Sequence, residues 1–253
     1  MPRISATIVA CNEAKNLARA LRSLACADEI VVLDSGSTDE TPAIAARLGA
    51  RVINQPWQGY AAQKNLATGH AQHEWILSLD ADEELDAVAQ AAIRSWKDSE
   101  PAADGYRFAR RARYLGRWIL HSGWYPDYKV RLFNRRKGGW YGKYVHESVI
   151  VNGSVETMPG EILHYTWDTV EEHRQKIEHF TNLAAQEMFD RGENVHFLQQ
   201  LFDPIWIFFH TYFFRLGVLD GHQGFLIARM AARYVSRKYK KLAERHAAFD
   251  QRP

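Results

Sequence analysis

Three acidic or amide-bearing segments follow apolar runs in the first third of the chain: Asn12-Glu13, Asp34 and Asp80-Ala81-Asp82. The last is the most informative. Two carboxylates at i and i+2, where an apolar run breaks into a loop, can hold a hard divalent cation together with phosphate oxygens. A lone D-x-D also arises by chance, and Asp82, Glu83 and Glu84 would equally favour the N-terminal dipole of a helix beginning just after them. No Gly and bidentate Glu follow at EF-hand positions. Neither a Walker A Gly-Lys loop nor G-x-G-x-x-G occurs, which argues against P-loop kinases and Rossmann-type dinucleotide enzymes. Asp34 opens Asp-Ser-Gly-Ser, ordinary turn chemistry, and Thr38 with Thr41 can cap a following helix.

The elements that would position these groups alternate. Ser5–Ala10, Glu29–Leu33, Arg51–Ile53 and Trp75–Leu79 read as strands; the second is too apolar to alternate, as expected of a parallel strand covered on both faces. Between them, Asn16–Leu24, Ala43–Leu48 and Ala61–His70 read as helices, with Gly49 at a helix C-terminus. Strands separated by helices imply βαβ units and a parallel sheet, and such sheets bind ligands outside their carboxyl ends. All three polar segments fall there. Residues 105–165 then become aromatic and basic, with short strands expected at Gly105–Arg110, Lys129–Asn134, Val145–Val151 and Ile162–Tyr165. From Asp168 the pattern is helical to about Arg191, and a second helical zone starts at Ile205.

In order and spacing, Ile8-Val9-Ala10-Cys11-Asn12-Glu13, Val31-Val32-Leu33-Asp34-Ser35-Gly36-Ser37-Thr38-Asp39, Gln63-Lys64-Asn65 and Leu79-Asp80-Ala81-Asp82 resemble the nucleotide-sugar half of inverting family-2 glycosyltransferases of the GT-A fold. The resemblance implies an α/β, mostly parallel sheet flanked by helices. It implies nucleotide-sugar contacts, for a UDP-sugar donor, at Ala10, Asn12, Glu13, Asp34, Ser35 and Gly36. Lys64 would lie on the diphosphate side, Asp80 at ribose and metal, and Asp82 at the metal, with Mg²⁺ or Mn²⁺ as the divalent cation.

The run Tyr125-Pro126-Asp127-Tyr128-Lys129-Val130-Arg131-Leu132-Phe133-Asn134-Arg135, followed by Gly139-Trp140 and Val145-His146-Glu147, resembles the bacterial lipopolysaccharide-core branch of that family, of the heptosyl β-1,4-glucosyltransferase type. The usual family pattern ends in a Glu-Asp pair whose second carboxylate is the base. Here His146-Glu147 stands in its place. An inverting transfer needs a carboxylate for the acceptor hydroxyl's proton, stabilisation of the departing diphosphate, and a donor held in line. Glu147 is the expected base, with Asp127 in reserve and Lys64 assisting charge neutralisation; Trp124, Arg131 and His146 are expected at the acceptor. His146 is equally a structural strand residue, and Trp124, Tyr125 and Trp140 either stack on sugars or pack the core. The implied activity is transfer of a hexose, glucose from UDP-glucose, to a lipid-linked saccharide of the lipopolysaccharide inner core. The alternative is a non-catalytic, membrane-associated nucleotide-sugar-binding or scaffold protein of the same fold.

The 253 residues, 46% hydrophobic and 25% charged, have globular composition and enough length for a sizeable core. Cys11 and Cys26 are too few for a disulfide framework, which suits a reducing compartment. The N-terminus lacks a signal-peptide h-region, and no run reaches the ~18–20 apolar residues of a membrane span. The net charge of +2 conceals segregation: −5 over residues 1–100, +8 over 101–150, −7 over 151–205 and +6 over 206–253. Arg107, Arg110, Arg111, Arg113 and Arg117 are interleaved with aromatics, yet a carboxylate-lined sheet edge opposes nucleic acid. A phosphorylated acceptor or plain solvation accounts for them. Aromatic Ile205–Phe214, followed by Arg229, Arg233, Arg237 and Lys240 at helical spacing, suits a peripheral element on an anionic cytoplasmic membrane surface. The expected organisation is a GT-A domain over 1–165 (donor half 1–100, acceptor half 101–165) and a helical C-terminal extension over 166–253 at the inner membrane; nothing in it sets an oligomeric state.

Overall fold

The computed structural model describes residues 1–142 and 147–250. His146, expected at the acceptor, and Val145 lie outside them. The chain forms two compact units, residues 1–111 with 127–165, and residues 112–126 with 166–253.

In the first unit, β1 (Ile4–Ala10), β2 (Glu29–Asp34), β3 (Arg51–Asn54) and β4 (Trp75–Asp80) are connected through α1 (Ala14–Ser23), α2 (Thr41–Arg47) and α3 (Tyr60–His70). The strands run parallel in the order β3-β2-β1-β4. β1, β2 and β4 are buried along nearly their whole length, which explains their near-continuous apolar sequence. α1 turns Leu17, Ala20 and Leu21 to the core. Gly49 follows α2 at φ +80°, and its N–H donates to Ala46 O at 3.0 Å, closing the helix as its position implied. Because β2 and β3 add on one side of β1 and β4 on the other, the sheet reverses direction between β1 and β4. The carboxyl ends of those two strands, carrying Asn12-Glu13 and Asp80, flank this switch point, where open α/β sheets leave a crevice.

The sheet then continues antiparallel from β4. β5 (Glu83–Leu85) leads into α4 (Ala87–Lys97), then β6 (Gly105–Tyr114), β7 (Arg117–Trp118), β8 (Asp127–Asn134), β9 (Gly138–Tyr141), β10 (Ser148–Val151) and β11 (Val155–Tyr165). β8 joins β4, followed by β6, β11 and β5, while β9 and β10 pair separately. A helix does follow Asp82-Glu83-Glu84, as the alternative reading had it, but a short strand comes first. Glu83–Leu85 pair with Ile162–His164, and α4 starts at Ala87, capped by the Asp86 carboxylate accepting from Ala89 N at 2.7 Å. β11 passes α4 so closely that a Cβ on Gly160, at φ +91°, would meet the Ala89 backbone nitrogen at 2.1 Å. Part of the aromatic texture of this region is core: Tyr106 packs with Trp75 and Trp96, centroids 4.8–6.1 Å apart, while Tyr128 and Tyr141 are exposed.

The second unit holds α5 (Val170–Asp190), α6 (Phe197–Phe209) and α7 (Gly221–Asp250). α6 starts eight residues before the expected aromatic run and continues through a π-helical turn at His210–Phe214. α5 opens with a Thr169/Glu172 capping box. Residues 112–126, read from the sequence with the acceptor half, pack in this unit. Tyr114 and Ile119 cluster with Leu226 and Ile227, and buried Asp220 accepts from Leu120 N, His121 N and Ser122 Oγ at 2.9–3.2 Å. The cationic face expected on α7 is engaged in part: of its four members Arg233 and Arg237 pair with α5, while Lys240 pairs within α7 and Arg229 is exposed. Arg233, Arg237 and Lys241 converge on Glu178 of α5, and Arg245 donates to Gln186, so these cations fasten α7 to α5. Their attraction holds the Glu178 carboxyl at about 2, chiefly through its hydrogen bond from Arg237. Among the described residues no helix is long and apolar enough to cross a membrane.

His173 of α5 is buried, stacked on Trp167 at 4.0 Å and within 3.0 Å of the Tyr114 hydroxyl. Burial lowers its pKa to about 4. Since the unfolded chain protonates near the ordinary value, its neutral folded form makes stability full above about pH 6.5 and reduces it as pH falls towards 4, by about 1.4 kcal/mol per pH unit. Thermal melts at pH 7 and 5 are expected to show a smaller acid-induced Tm loss for His173→Phe than for the parent. Equal losses would remove His173 as the source.

Candidate active site

The Gln63-Lys64-Asn65 triplet lies on α3, where successive side chains point about 100° apart and therefore reach three different elements. Gln63, fully buried, donates to Ser35 Oγ (3.0 Å) and Gln55 O (2.9 Å), fixing the loop after β2. Asn65 donates to Trp140 O and accepts from Trp140 N, at 2.8 and 3.0 Å, pinning β9. Lys64 points between these. Its ammonium lies 2.7 Å from Asp80 Oδ1, 3.1 Å from Glu147 Oε1 and 4.1 Å from the Trp140 ring centre. Glu147 immediately precedes β10, whose pairing with β9 sets its position.

Around this bridge, opposite charges alternate. Arg131 of β8 contacts Asp80 Oδ2 and Glu83 Oε1, both at 2.8 Å. Arg110 of β6 reaches Glu83 Oε1 at 3.1 Å and Asp127 Oδ2 at 2.6 Å, the latter its directly opposed residue on β8. Lys129 closes on Asp127 Oδ1 at 3.0 Å. Four cations thus face four carboxylates around a cleft of ≈560 Å³, a volume suited to a small-molecule ligand. Burial disfavours ionising Asp80, but Lys64 and Arg131 outweigh it and hold the carboxyl far below the usual range. Burial likewise opposes charge on Asp127, and Arg110 with Lys129 overcomes it and lowers its pKa. The reserve base is therefore engaged by two cations at 2.6–3.0 Å, whereas Glu147 faces Lys64 alone among the described residues.

Asp82 stands beside this network, with Oδ2 3.3 Å from His164 Nε2. Burial lowers the His164 pKa, but neighbouring Asp82 carries it the other way, to a net rise. Among the described residues no three His, Cys, Asp or Glu side chains form a metal-binding group. By donor type the two carboxylates suit a divalent cation such as Mg²⁺, which takes one or two carboxylates and completes its shell with phosphate oxygens and water. Among the described residues Asp82 Oδ1 carries no hydrogen bond, while both oxygens of Asp80 already face cations.

The loops after β1 and β2 are knitted together. Asn12, at φ +55° in the left-handed region Asn tolerates, accepts from Thr38 N at 2.8 Å, and its N–H donates to Ser37 Oγ at 2.9 Å. Glu13 N donates to Thr41 Oγ1 at 2.8 Å, and Ser35 N to Ala10 O at 2.8 Å. Thr41 therefore ties the β1 loop instead of capping α2. Asp34 is buried and accepts from Gly36 N and Ser37 N at 3.0–3.1 Å, so turn chemistry occupies much of its carboxylate.

Trp124 lies in the second unit, its ring 5.5 Å from Tyr114 and 6.0 Å from Trp167, lining an apolar cavity of ≈360 Å³. Trp140 is buried against Lys64 and Arg131. The expected phosphate-facing arginines have protein partners: Arg107 donates to Thr157, Arg110 to Glu83 and Asp127, Arg111 pairs with Glu161, and Arg117 donates to Leu219 O. Sequence reasoning missed Glu83 as the fully buried hub of the network. Its one visible signal was a third carboxylate directly after the D-x-D pair.

An open α/β sheet, parallel over β1–β4 and extended through β8, β6, β11 and β5, with a charged cleft beside Asp80 at the end of β4, is the architecture of a GT-A glycosyltransferase. Residues 5–157 match the model of Glycosyl transferase family 2, and the chain belongs to that family. It is similar to the lipopolysaccharide core biosynthesis glycosyltransferase LpsC of Rhizobium meliloti (strain 1021), 31% identical over 96% of this chain and 93% of that one. It is also 32% identical to an uncharacterized glycosyltransferase of Rickettsia felis, covering 89% of this chain and 84% of the relative. The crystal structure of S. aureus TarS 1-349 superposes with a TM-score of 0.49 at 15% identity, covering 97% and 92% of the two chains.

Proposed function

We propose that this glycosyltransferase transfers a hexose, glucose from UDP-glucose, with inversion, onto a lipid-linked saccharide of the lipopolysaccharide inner core, at the cytoplasmic side of the inner membrane. One observation carries the mechanism: Lys64 bridges Asp80 and Glu147 at 2.7 and 3.1 Å, joining the donor-holding strand end to the candidate base within one cleft. A diphosphate competes for the Lys64 ammonium, and its arrival releases Glu147 to accept the acceptor hydroxyl's proton. Arg131 keeps Asp80 ionised throughout. Ala10, Asn12, Glu13, Asp34, Ser35 and Gly36 form the knitted loops assigned to the nucleoside, and Asp127 keeps Arg110 in place. Asp82, with Asp80, would hold a divalent cation, Mg²⁺ or Mn²⁺, which supplies neutralisation of the diphosphate charge. Two buried donors at the cleft, Arg131 Nε and Trp140 Nε1, have no hydrogen-bond partner among the described residues, which suits an oxygen-rich ligand. The acceptor role first assigned to Arg131 gives way to this donor-side role, because its guanidinium is buried between Asp80 and Glu83. The lipopolysaccharide assignment is supported by the likeness to LpsC.

The test is UDP release from UDP-glucose with lipopolysaccharide-core acceptor, run with Mg²⁺, Mn²⁺ or chelator. Binding of UDP without release would favour a non-catalytic scaffold. UDP plus Mn²⁺ at a hundredfold excess over Kd should stabilise the fold by about 2.7 kcal/mol. In Asp82→Ala the metal-dependent part of that stabilisation is expected to vanish. An unchanged increment would place the cation elsewhere.

A further inference from the structure

The second unit exposes an unusual helix face. An amphipathic helix normally turns its apolar stripe to the core. α6 does the reverse: Phe197 (76% exposed), Leu201, Phe202 (57%), Trp206 (58%) and Phe209 recur at helical spacing on the outside, and none of its residues is fully buried. The surface continues through Phe213 and Phe214 (69%) in the π-helical turn and through Leu216, Val218 and Leu219 beyond it. Scattered exposed apolar residues need no explanation, but a contiguous patch of large aromatics marks a contact surface.

Charge decides what the contact is. Between residues 197 and 229 the carboxylates are Asp203 and Asp220, and both are engaged: Asp203 accepts from the Tyr239 hydroxyl at 2.7 Å, and buried Asp220 is held by Leu120, His121 and Ser122. Arg215, directly after Phe213-Phe214, and Arg229, one turn beyond Phe225, are exposed and form no ion pair among the described residues. A second copy docking by this same patch would bring guanidinium groups against guanidinium groups with no free acid in the segment to meet them. An anionic lipid surface supplies the missing negative charge and takes the apolar stripe into its acyl boundary. At 13 residues, α6 is about 20 Å long, suited to lying in the interface and too short to span it.

We propose that the outer face of α6 and the turns after it form a docking surface for an anionic bilayer, with Phe202, Trp206 and Phe209 inserted and Arg215 and Arg229 at the headgroups. This deepens the reading of a lipid-linked acceptor and rests on it for its purpose. Of the element expected from the sequence it keeps the aromatic run on α6 and Arg229 of α7, and it leaves out Arg233 and Arg237, which pair with Glu178 of α5.

The test is flotation of the full chain with phosphatidylcholine vesicles, with and without phosphatidylglycerol. The parent is expected to float with phosphatidylglycerol vesicles. Phe202→Ser/Trp206→Ser is expected to weaken that binding at least about tenfold at every salt concentration, since two large aromatics lose their burial. Arg215→Ser/Arg229→Ser should weaken binding to anionic vesicles at low salt and leave the residual binding in high salt unchanged. All variants should keep the parent's Tm and its stabilisation by UDP plus Mn²⁺, which separates this proposal from the donor reading: loss of UDP stabilisation in the parent would fail that reading and leave docking standing. Absence of parent binding overturns the proposal. So does equal binding by the aromatic variant, or a dimer in sedimentation that the aromatic variant dissociates.

Discussion

Glu147→Gln is expected to lower kcat by about 10²–10⁴-fold, the usual contribution of a positioned general base, while UDP binding is no weaker than in the parent. Gln has the same shape but cannot take the acceptor's proton. It also frees Lys64 from one of its two carboxylates, so the ammonium remains available to a diphosphate. Single-turnover transfer and UDP calorimetry on the same preparation separate chemistry from binding. Parent-like turnover would pass the base role to Asp127, and Asp127→Asn should then be the inactive variant. The structure argues for Glu147 because Arg110 and Lys129 together stabilise the Asp127 carboxylate and so weaken it as a base.

The largest stability effect is expected at Glu83. Its carboxylate is wholly buried, accepts from the Asp80 N–H at 3.2 Å and holds Arg110 and Arg131 at 3.1 and 2.8 Å. Glu83→Ala leaves the buried Arg131 facing Asp80 alone. Breaking a buried pair by deleting one partner costs about 3–5 kcal/mol, which for a chain of this size lowers Tm by roughly 6–20 °C. Replacing both partners, as in Glu83→Met/Arg131→Met, should cost less than the sum of Glu83→Met and Arg131→Met, because the Arg131 guanidinium is then not stranded. Strict additivity, or a loss in Glu83→Ala below about 1 kcal/mol, would show that the hub is solvated and not a buried bridge.

The donor half was legible because its order is local. A parallel strand buried on both faces must be apolar throughout, so β1, β2 and β4 announce themselves, and the polar residues that end them mark the carboxyl edge. α1 and the Gly49 turn follow from periodicity and backbone freedom in the same way. The acceptor-side residues were less legible. Arg110 sits in basic, aromatic sequence that reads as a phosphate-binding surface, and Arg131 in a run expected at the acceptor, yet both guanidinium groups pair with Glu83. Glu83 read as a helix-start residue, because its local neighbours are acidic and a helix does follow. The distant strand β11 claims it for the sheet instead.

By itself, the sequence determined the sheet's parallel core, the carboxylates at its edge and the helix that carries Gln63-Lys64-Asn65, since each depends on residues close in the chain. Only the tertiary structure decided the partners. Lys64 meets Glu147 across 83 positions, and Arg131 meets Asp80 across 51. Likewise, only packing revealed that Arg233, Arg237 and Lys241 of α7 converge on Glu178 while the aromatic face of α6 is left outside. Periodicity states which face of an element is apolar, and charge states what a side chain can bind. Which surface covers that face, and which counter-charge reaches that side chain first, depends on how the strands and helices are ordered in space.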